Sequence, residues 1–401
     1  MKTSGELDTI SPLRENIRTV LTIGAVLFPF LPNTYRTFYL CIALISLIYR
    51  FHIFTKRDAI PFYIYLLAAI LTSLFSLNPL KAIRNTKGIF FDILVPFLFF
   101  AFSPFLNRQK LTRLLPVSSI IFSAAALLIY FIYPPGFHIF NRNHGLVGFL
   151  GGKLTYAGAL SFLIPLLYFT GERKQDILTL IAIALFTLNI TFNLSRTYYI
   201  AVIVFLLLMI IVSRSKIRLF YGGLLAFFII SIVTNQRSLD YLSKMLPIEE
   251  NRSPHARIEM WKTGLRIFKK YPLTGIGYEL WSDHKIFTAL INEFETPELH
   301  EIREDPKLNR AVSGHLHSNY IMAMVNGGLP LLFSLLFIFL YFLAIFCKTA
   351  QPWGYLGIGL LSIMIIAGFF EYNFSDAEVV QNFAMALGII THRVRCNENN
   401  C

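Results

Sequence analysis

Charge is what this chain has least of. Only 15% of its 401 residues are Asp, Glu, Lys or Arg, against ~25% in an ordinary soluble domain. Hydrophobic residues make up 55%, and 39 are Phe. A surface of that composition aggregates in water and is solvated by a bilayer. Cysteine is nearly as scarce: Cys41 and Cys347 lie in or beside apolar runs, Cys396 and Cys401 in the tail. None falls in the one long polar stretch, so no disulfide framework is available there. Also missing are G-x-x-x-x-G-K-[ST], Asp-x-Asp, a serine nucleophile elbow and H-E-x-x-H. Gly151-Gly152-Lys153 lacks the P-loop spacing. ATP-driven pumping, metal-held nucleotide sugars and hydrolysis by those routes lose support.

What is present is a series of apolar runs. Crossing ~30 Å of hydrocarbon takes ~20 residues, fewer where flanking side chains snorkel. Runs of that kind lie near 16–32, 35–50, 58–77, 88–106, 115–134, 154–171, 176–193, 197–213, 217–234, 317–346, 352–372 and 376–391. The fold class expected is an all-α membrane protein with about twelve spans, the stretch 58–106 being the hardest to divide. The first run, from Ile17, has no small-residue cleavage site and reads as an uncleaved span.

The net charge is +13. Most basic residues fall in short clusters between apolar runs, where they set topology, so no nucleic-acid footprint is read from them. With a cytoplasmic N-terminus the inner loops hold Arg50, Lys56 and Arg57; Arg108, Lys110 and Arg113; Arg173 and Lys174; Arg214, Lys216 and Arg218; and Lys348, with Arg393 and Arg395 in the tail. The opposite loops hold fewer: Arg36; Lys81, Arg84 and Lys87; Arg142 and Lys153; Arg196. Both termini are therefore expected in the cytoplasm. That parity puts 235–316, with 12 basic and 12 acidic residues, outside. The domain reading is spans 1–9 over 1–234, a partly helical periplasmic loop domain over 235–316, and spans 10–12 with a cytoplasmic tail over 317–401.

Within the loop, Ser253-Pro254 is a helix start and Tyr271-Pro272 a stop. Ile258, Trp261, Leu265 and Phe268 recur at helical spacing as an apolar face. Arg257, Lys262, Arg266, Lys269 and Lys270 fall on the polar side, suiting a helix on the membrane surface. Leu273-Thr274-Gly275-Ile276-Gly277-Tyr278 then reads as a glycine-punctuated turn.

Several residues could carry chemistry. Arg196 begins a span; it is either a snorkelling anchor or an anion clamp. Arg257 is either a solvated helix residue or a phosphate ligand, for which a guanidinium fork is suited. His315-Leu316-His317 closes the loop. An H-x-H pair can bind zinc, but no neighbouring Cys or carboxylate supplies further ligands, so no metal is expected. A packing role for a lone buried histidine is the bland alternative. A histidine at this boundary can also serve as a general base. Glu371, Asp376 and Glu378 bracket the last loop and either pair with arginines across the bundle or cap helices.

The order of these features resembles the O-antigen ligase and polymerase superfamily of bacterial envelope proteins. His317-Ser318, nine residues and then Gly328 fit that family's His-[Asn/Ser/Gln]-x9-Gly signature. Arg257, Trp261, Gly264, Phe268, Tyr271-Pro272, Gly275 and Gly277 resemble its loop helix and glycine turn, and Ser195-Arg196-Thr197 its arginine at the outer end of a mid-chain span. The stretch after Gly328, Leu329-Pro330-Leu331-Leu332, lacks the second glycine and the threonine that ligases often show, which keeps a polymerase assignment open.

The resemblance implies an enzyme of the bacterial inner membrane whose site faces the periplasm. It would transfer O-antigen polysaccharide from undecaprenyl pyrophosphate to a sugar hydroxyl of lipid A–core in lipopolysaccharide biosynthesis. His317 would be the base, and Arg257 and Arg196 the pyrophosphate clamps. Trp261, Arg266 and His315 would be further substrate contacts, with no metal and no cofactor. The alternatives are a polymerase joining lipid-linked repeat units, and a transporter of lipid-linked glycan. A transporter calls for charge near the bilayer midplane, where only Asp92 and Glu371 are candidates. Topology is directly testable: membrane-impermeant labels applied from outside should reach a probe at Asp283 and miss one at Lys110, and the reverse result would put the site on the wrong side.

Overall fold

A computed structural model describes residues 4–132, 145–150, 152–167, 173–213, 215–243, 252–304, 315–349 and 352–399. Arg142, Gly151 and Arg214 fall outside these residues, as do the side chains of Arg173, Lys174 and Lys216. The described residues contain helices and no strand. In chain order these are α1 (Ser4–Leu27), α2 (Asn33–Ile48), α3 (Ile60–Leu74), α4 (Pro79–Asn85), α5 (Val95–Phe102), α6 (Arg108–Ile132), α7 (Lys153–Leu163), α8 (Arg173–Asn193) and α9 (Arg196–Val212). There follow α10 (Ser215–Thr234), α11 (Gln236–Ser243), α12 (Arg252–Lys270), α13 (His284–Phe294), α14 (Pro297–Glu304), α15 (Asn319–Lys348), α16 (Pro352–Phe370) and α17 (Ala377–Asn399).

Among the described residues, six helical stretches are long and apolar enough to cross a membrane: Arg57–Leu74, Pro79–Phe102, Arg108–Ile132, Asp176–Asn193, Asn319–Lys348 and Pro352–Phe370. Asn33–Ile48, Lys153–Leu166, Arg196–Val212 and Arg218–Thr234 are shorter apolar helices. The protein is thus an all-α, multi-pass membrane protein. Large apolar side chains such as Phe38, Leu80, Ile211 and Leu219 are exposed around the bundle, as a lipid-facing surface requires.

The stretch 58–106 divides at Phe75–Asn78. Asn78 caps α4 by accepting from the Lys81 N–H at 3.2 Å. A π-helical turn at Ile89–Leu94 then joins α4 to α5. Lys81, Arg84 and Lys87 therefore ride on helix rather than on a short loop. Arg36, expected as an outer-loop charge, is fully buried. Its guanidinium donates to the carbonyls of Pro29 (2.6 Å), Leu31 (2.6 Å) and Glu378 (2.8 Å) and to Asn382 Oδ1 (2.9 Å), bracing the turn after α1 against α17.

The helix α12 forms where the sequence placed it and ends at Lys270, before Tyr271-Pro272. The side that packs on the protein is a different one from the apolar stripe. Ala256, Met260, Thr263 and Ile267 face the protein, while Ile258 and Leu265 are exposed. Gly264 lets α15 approach: a Cβ there would meet Ile321 Cγ2 at 2.7 Å.

The helix α15 is two pieces. At Gly327 and Gly328 the backbone leaves helical angles, and Gly328 takes φ +64°. The glycine turn after α12 pairs with this break: the Ile276 N–H donates to Val325 O (2.8 Å), Gly277 N–H to Asn326 O (3.1 Å), and Leu329 N–H to Pro272 O (2.8 Å). The nine residues between His317-Ser318 and Gly328 are thus the length of helix needed to reach the break. A Cβ on Gly328 would lie 2.4 Å from Pro272 O. Gly328→Ala should destabilise the fold by about 2 kcal/mol, read as a lower Tm of the detergent-purified protein.

Candidate active site

The site is assembled by a short segment that is neither helix nor strand. His317 has φ +48°, a left-handed conformation rare for a residue with a Cβ. Ser318 follows as the N-cap of α15, accepting from the Ile321 N–H and donating to Gly368 O. The Trp261 indole N–H donates to Leu316 O at 2.8 Å, tying the segment to α12. The two imidazole rings stand edge to face with centroids 4.2 Å apart. His315 Nδ1 accepts the His317 backbone N–H at 3.2 Å.

Opposite this segment lies Glu371, just past the end of α16 and 3% exposed. His317 Nδ1 is 3.4 Å from its Oε2. Arg257 Nη2 donates to its Oε1 at 2.9 Å, and Arg257 Nη1 donates to Phe370 O at 2.8 Å. The Thr197 hydroxyl donates to the same Oε1 at 3.3 Å. Burial alone would push the Glu371 carboxyl's pKa up; the His317 hydrogen bond and Arg257 more than offset it and hold the pKa below the ordinary value. The group is a carboxylate at neutral pH.

A cavity of about 400 Å³ opens beside this cluster. Arg196, Arg257 and Lys153 line it with Glu371, Ser195, Thr197 and Trp261. Lys153 lies close enough to Arg196 and Glu371 to feel both charges. Asn193 fixes its position, donating to Lys153 O (2.7 Å) and Leu146 O (2.5 Å). Three cationic side chains and one carboxylate thus share the cavity wall, a lining that suits an anionic ligand.

Of the six residues expected from sequence, five converge. Arg196, Arg257 and Trp261 line the cavity, and His317 and His315 adjoin it through Glu371 and each other. Arg266 is not brought there. It donates to the carbonyls of Phe294 (3.3 Å) and Glu295 (3.1 Å) and closes the end of α13. Trp261 spends its one donor on Leu316, so its part is to hold the histidine segment while its ring forms a wall. Glu371 reads in sequence as either pairing with an arginine across the bundle or capping a helix, and its ion pair with Arg257 is the first of these. Lys153 was visible only as an outer-loop charge and as part of a Gly-Gly-Lys. Among the described residues no three His, Cys, Asp or Glu side chains are grouped to hold a metal ion.

Residues 181–336 match a family model described as O-antigen ligase. That segment is similar to the O-antigen ligase family. A comparison with curated proteins finds none that matches the chain. The matched segment spans part of α8 through the break in α15, so it contains Arg196, Arg257, Trp261, both histidines and Gly328. Lys153 and Glu371 reach the site from outside it. The family is one of glycosyl-transferring ligases and polymerases acting on lipid-linked glycans.

His315 offers a test of the assembly. Its pKa is pushed down to about 4 by burial first, then by the charges of His317 and Arg257, with Glu371 opposing. The folded-state pKa lies below the unfolded 6.5, so the neutral ring stabilises the fold fully above about 6.5. That stability is lost as pH falls toward about 4, where the unfolded chain has taken a proton that the folded one resists. Melting curves of His315→Asn should show a weaker loss of stability over that interval than the wild type.

Proposed function

We propose that the protein is an O-antigen ligase of the bacterial inner membrane. It transfers a finished glycan from undecaprenyl pyrophosphate to a sugar hydroxyl of lipid A–core, with inversion at the anomeric carbon. The observation that carries the reading is His317, set beside a cation-lined cavity and oriented by a buried carboxylate. We infer twelve crossings with both termini in the cytoplasm: the six long and four shorter apolar stretches together with α1 and α17. Charge bias then puts the 235–316 segment, and the cavity beside it, in the periplasm.

The chemistry follows from the geometry. With Nδ1–H directed at Glu371, the lone pair of His317 is on Nε2. Nε2 takes the proton of the acceptor hydroxyl as its oxygen attacks the anomeric carbon. The bond from that carbon to the pyrophosphate oxygen breaks, and its electron pair leaves with the pyrophosphate. Arg257 and Arg196 hold this growing negative charge without reorganising. The lipid pyrophosphate is already an activated leaving group, so neither ATP nor a sugar nucleotide is needed, and fixed guanidiniums take the part a divalent ion plays elsewhere. Glu371 stabilises the imidazolium that forms, as carboxylates paired to histidine bases do.

In vitro transfer from purified lipid-linked glycan to purified core tests the reading. His317→Ala should lower the rate by about 10²–10⁴-fold with the protein still in the membrane. Arg257→Lys should recover only part of what Arg257→Ala loses, since an ammonium lacks the bidentate fork. Undiminished transfer by His317→Ala would remove the base. Loss of transfer in EDTA, restored by a divalent ion, would overturn the metal-free scheme. A knockout separates ligase from polymerase: bare core with stranded lipid-linked glycan marks the ligase, and core carrying one repeat unit the polymerase.

A further inference from the structure

Backbone strain gathers around the site. Among the described residues, three that are not glycine have positive φ: Leu194 (+60°), His317 (+48°) and Glu279 (+54°). A side chain in that region costs energy and persists where surrounding contacts impose it. Leu194 stands two residues before Arg196, and His317 is the base of the proposed reaction. Glu279 has no part in the chemistry above. It directly follows the glycine turn after α12. Asn85, the last residue of α4, holds the backbone there, donating from Nδ2 to Tyr278 O (3.2 Å) and Glu279 O (3.4 Å).

The Glu279 side chain reaches the turn between α16 and α17. One carboxyl oxygen accepts from the Tyr372 hydroxyl, and the other accepts from the Ser375 hydroxyl at 3.4 Å. Tyr372 is buried and directly follows Glu371. Its hydroxyl also accepts from Asn326 Nδ2 at 3.0 Å, next to the break in α15. Its ring stands edge to face with His315, the centroids 6.0 Å apart. The later part of the turn has other holds. The Tyr198 hydroxyl donates to Asn373 Oδ1 (2.8 Å), the Phe374 N–H to Asn319 Oδ1 (3.3 Å), and the Thr155 hydroxyl to Asp376 Oδ2 (2.5 Å). The Tyr372 hydroxyl, nearest Glu371, rests on Glu279 and Asn326.

We propose that Glu279 is a positioning residue for the base. Through Tyr372 it fixes the chain beside Glu371, and with it the direction of the carboxylate that faces His317 Nδ1. Through the Tyr372 ring it also backs His315. This rests on the reading of His317 as the base and adds a residue outside the reacting groups. Two hydroxyl donors converge on one carboxyl group, which has an acceptor oxygen for each. Glutamine offers one carbonyl oxygen, enough for the Tyr372 hydroxyl. Alanine offers none and leaves the proton of that buried hydroxyl without an acceptor.

The test uses the full-length protein in phosphatidylcholine nanodiscs, with purified lipid-linked glycan and purified core as substrates. Glu279→Ala and Tyr372→Phe should each lower kcat by about tenfold or more, with the donor KM little changed. Glu279→Gln should keep most of the rate. A double-mutant cycle separates positioning from a loosened fold. In a Glu371→Gln background, Glu279→Ala should cost much less than in the wild type, because the carboxylate that it aims is gone. The same loss in both backgrounds overturns the proposal, as does full activity in Glu279→Ala and Tyr372→Phe. Cryo-EM structures of these two variants read the positioning without any chemistry. The Glu371 carboxylate should leave hydrogen-bond reach of His317, and a carboxylate in its wild-type place overturns the proposal. Displacement of Glu371 in a protein that transfers no glycan would sink the transferase reading and leave the positioning standing. Transfer indifferent to both variants would do the opposite.

Discussion

The Glu371 carboxylate, buried at the end of α16, is the constraint on which the site depends. It accepts from Arg257 and Thr197 on one oxygen and faces His317 on the other. Those three residues come from α12, α9 and the segment before α15, parts of the chain that share no local sequence. A carboxylate in this position is costly to bury alone, and so is a guanidinium or an imidazolium. Each offsets the desolvation of the others, so the cluster is far more stable complete than with any member missing. Electrostatics here does what a covalent bridge cannot do in a chain without cysteines near the site.

The second constraint is steric. The glycine turn after α12 lies against the break in α15 through three backbone hydrogen bonds. Side chains at Gly275 or Gly328 would enter the opposing backbone. This contact sets the height of α12 relative to α15, and with it the distance between Arg257 and His317. The conformation of His317 itself is imposed from both sides. Trp261 holds the carbonyl before it, and Ser318 starts a helix immediately after it.

Much of this was legible in sequence because it is local. Apolar runs announce helices, and the glycine and proline punctuation after Phe268 announces the turn. The histidine pair with Gly328 at its fixed spacing announces the α15 entry. What was not legible depends on pairings across the chain. Ile258 and Leu265 have helical spacing, but spacing alone does not say whether a stripe meets protein or lipid; small residues at Ala256 and Gly264 take the inner side instead. Arg36 looks like a loop charge until the carbonyls of Pro29 and Leu31 and two acceptors on α17 surround it. Arg266 differs from Arg257 by nine positions on one helix, and only the placement of α13 shows that it is occupied elsewhere. Glu371 and Lys153 carry no motif; they matter because helices far apart in sequence bring them to one cavity.

Glu371 also lies beyond the segment that resembles the family, 54 residues after His317. A ribosome therefore finishes the matched segment, His317, Arg257 and Arg196 included, before it adds the carboxylate that His317 and Arg257 face. Until α16 has been synthesised and its end has docked, the nascent chain holds every signature residue in an unassembled centre. A frameshift or early stop between α15 and Tyr372 would leave the diagnostic sequence intact and the cluster around His317 incomplete.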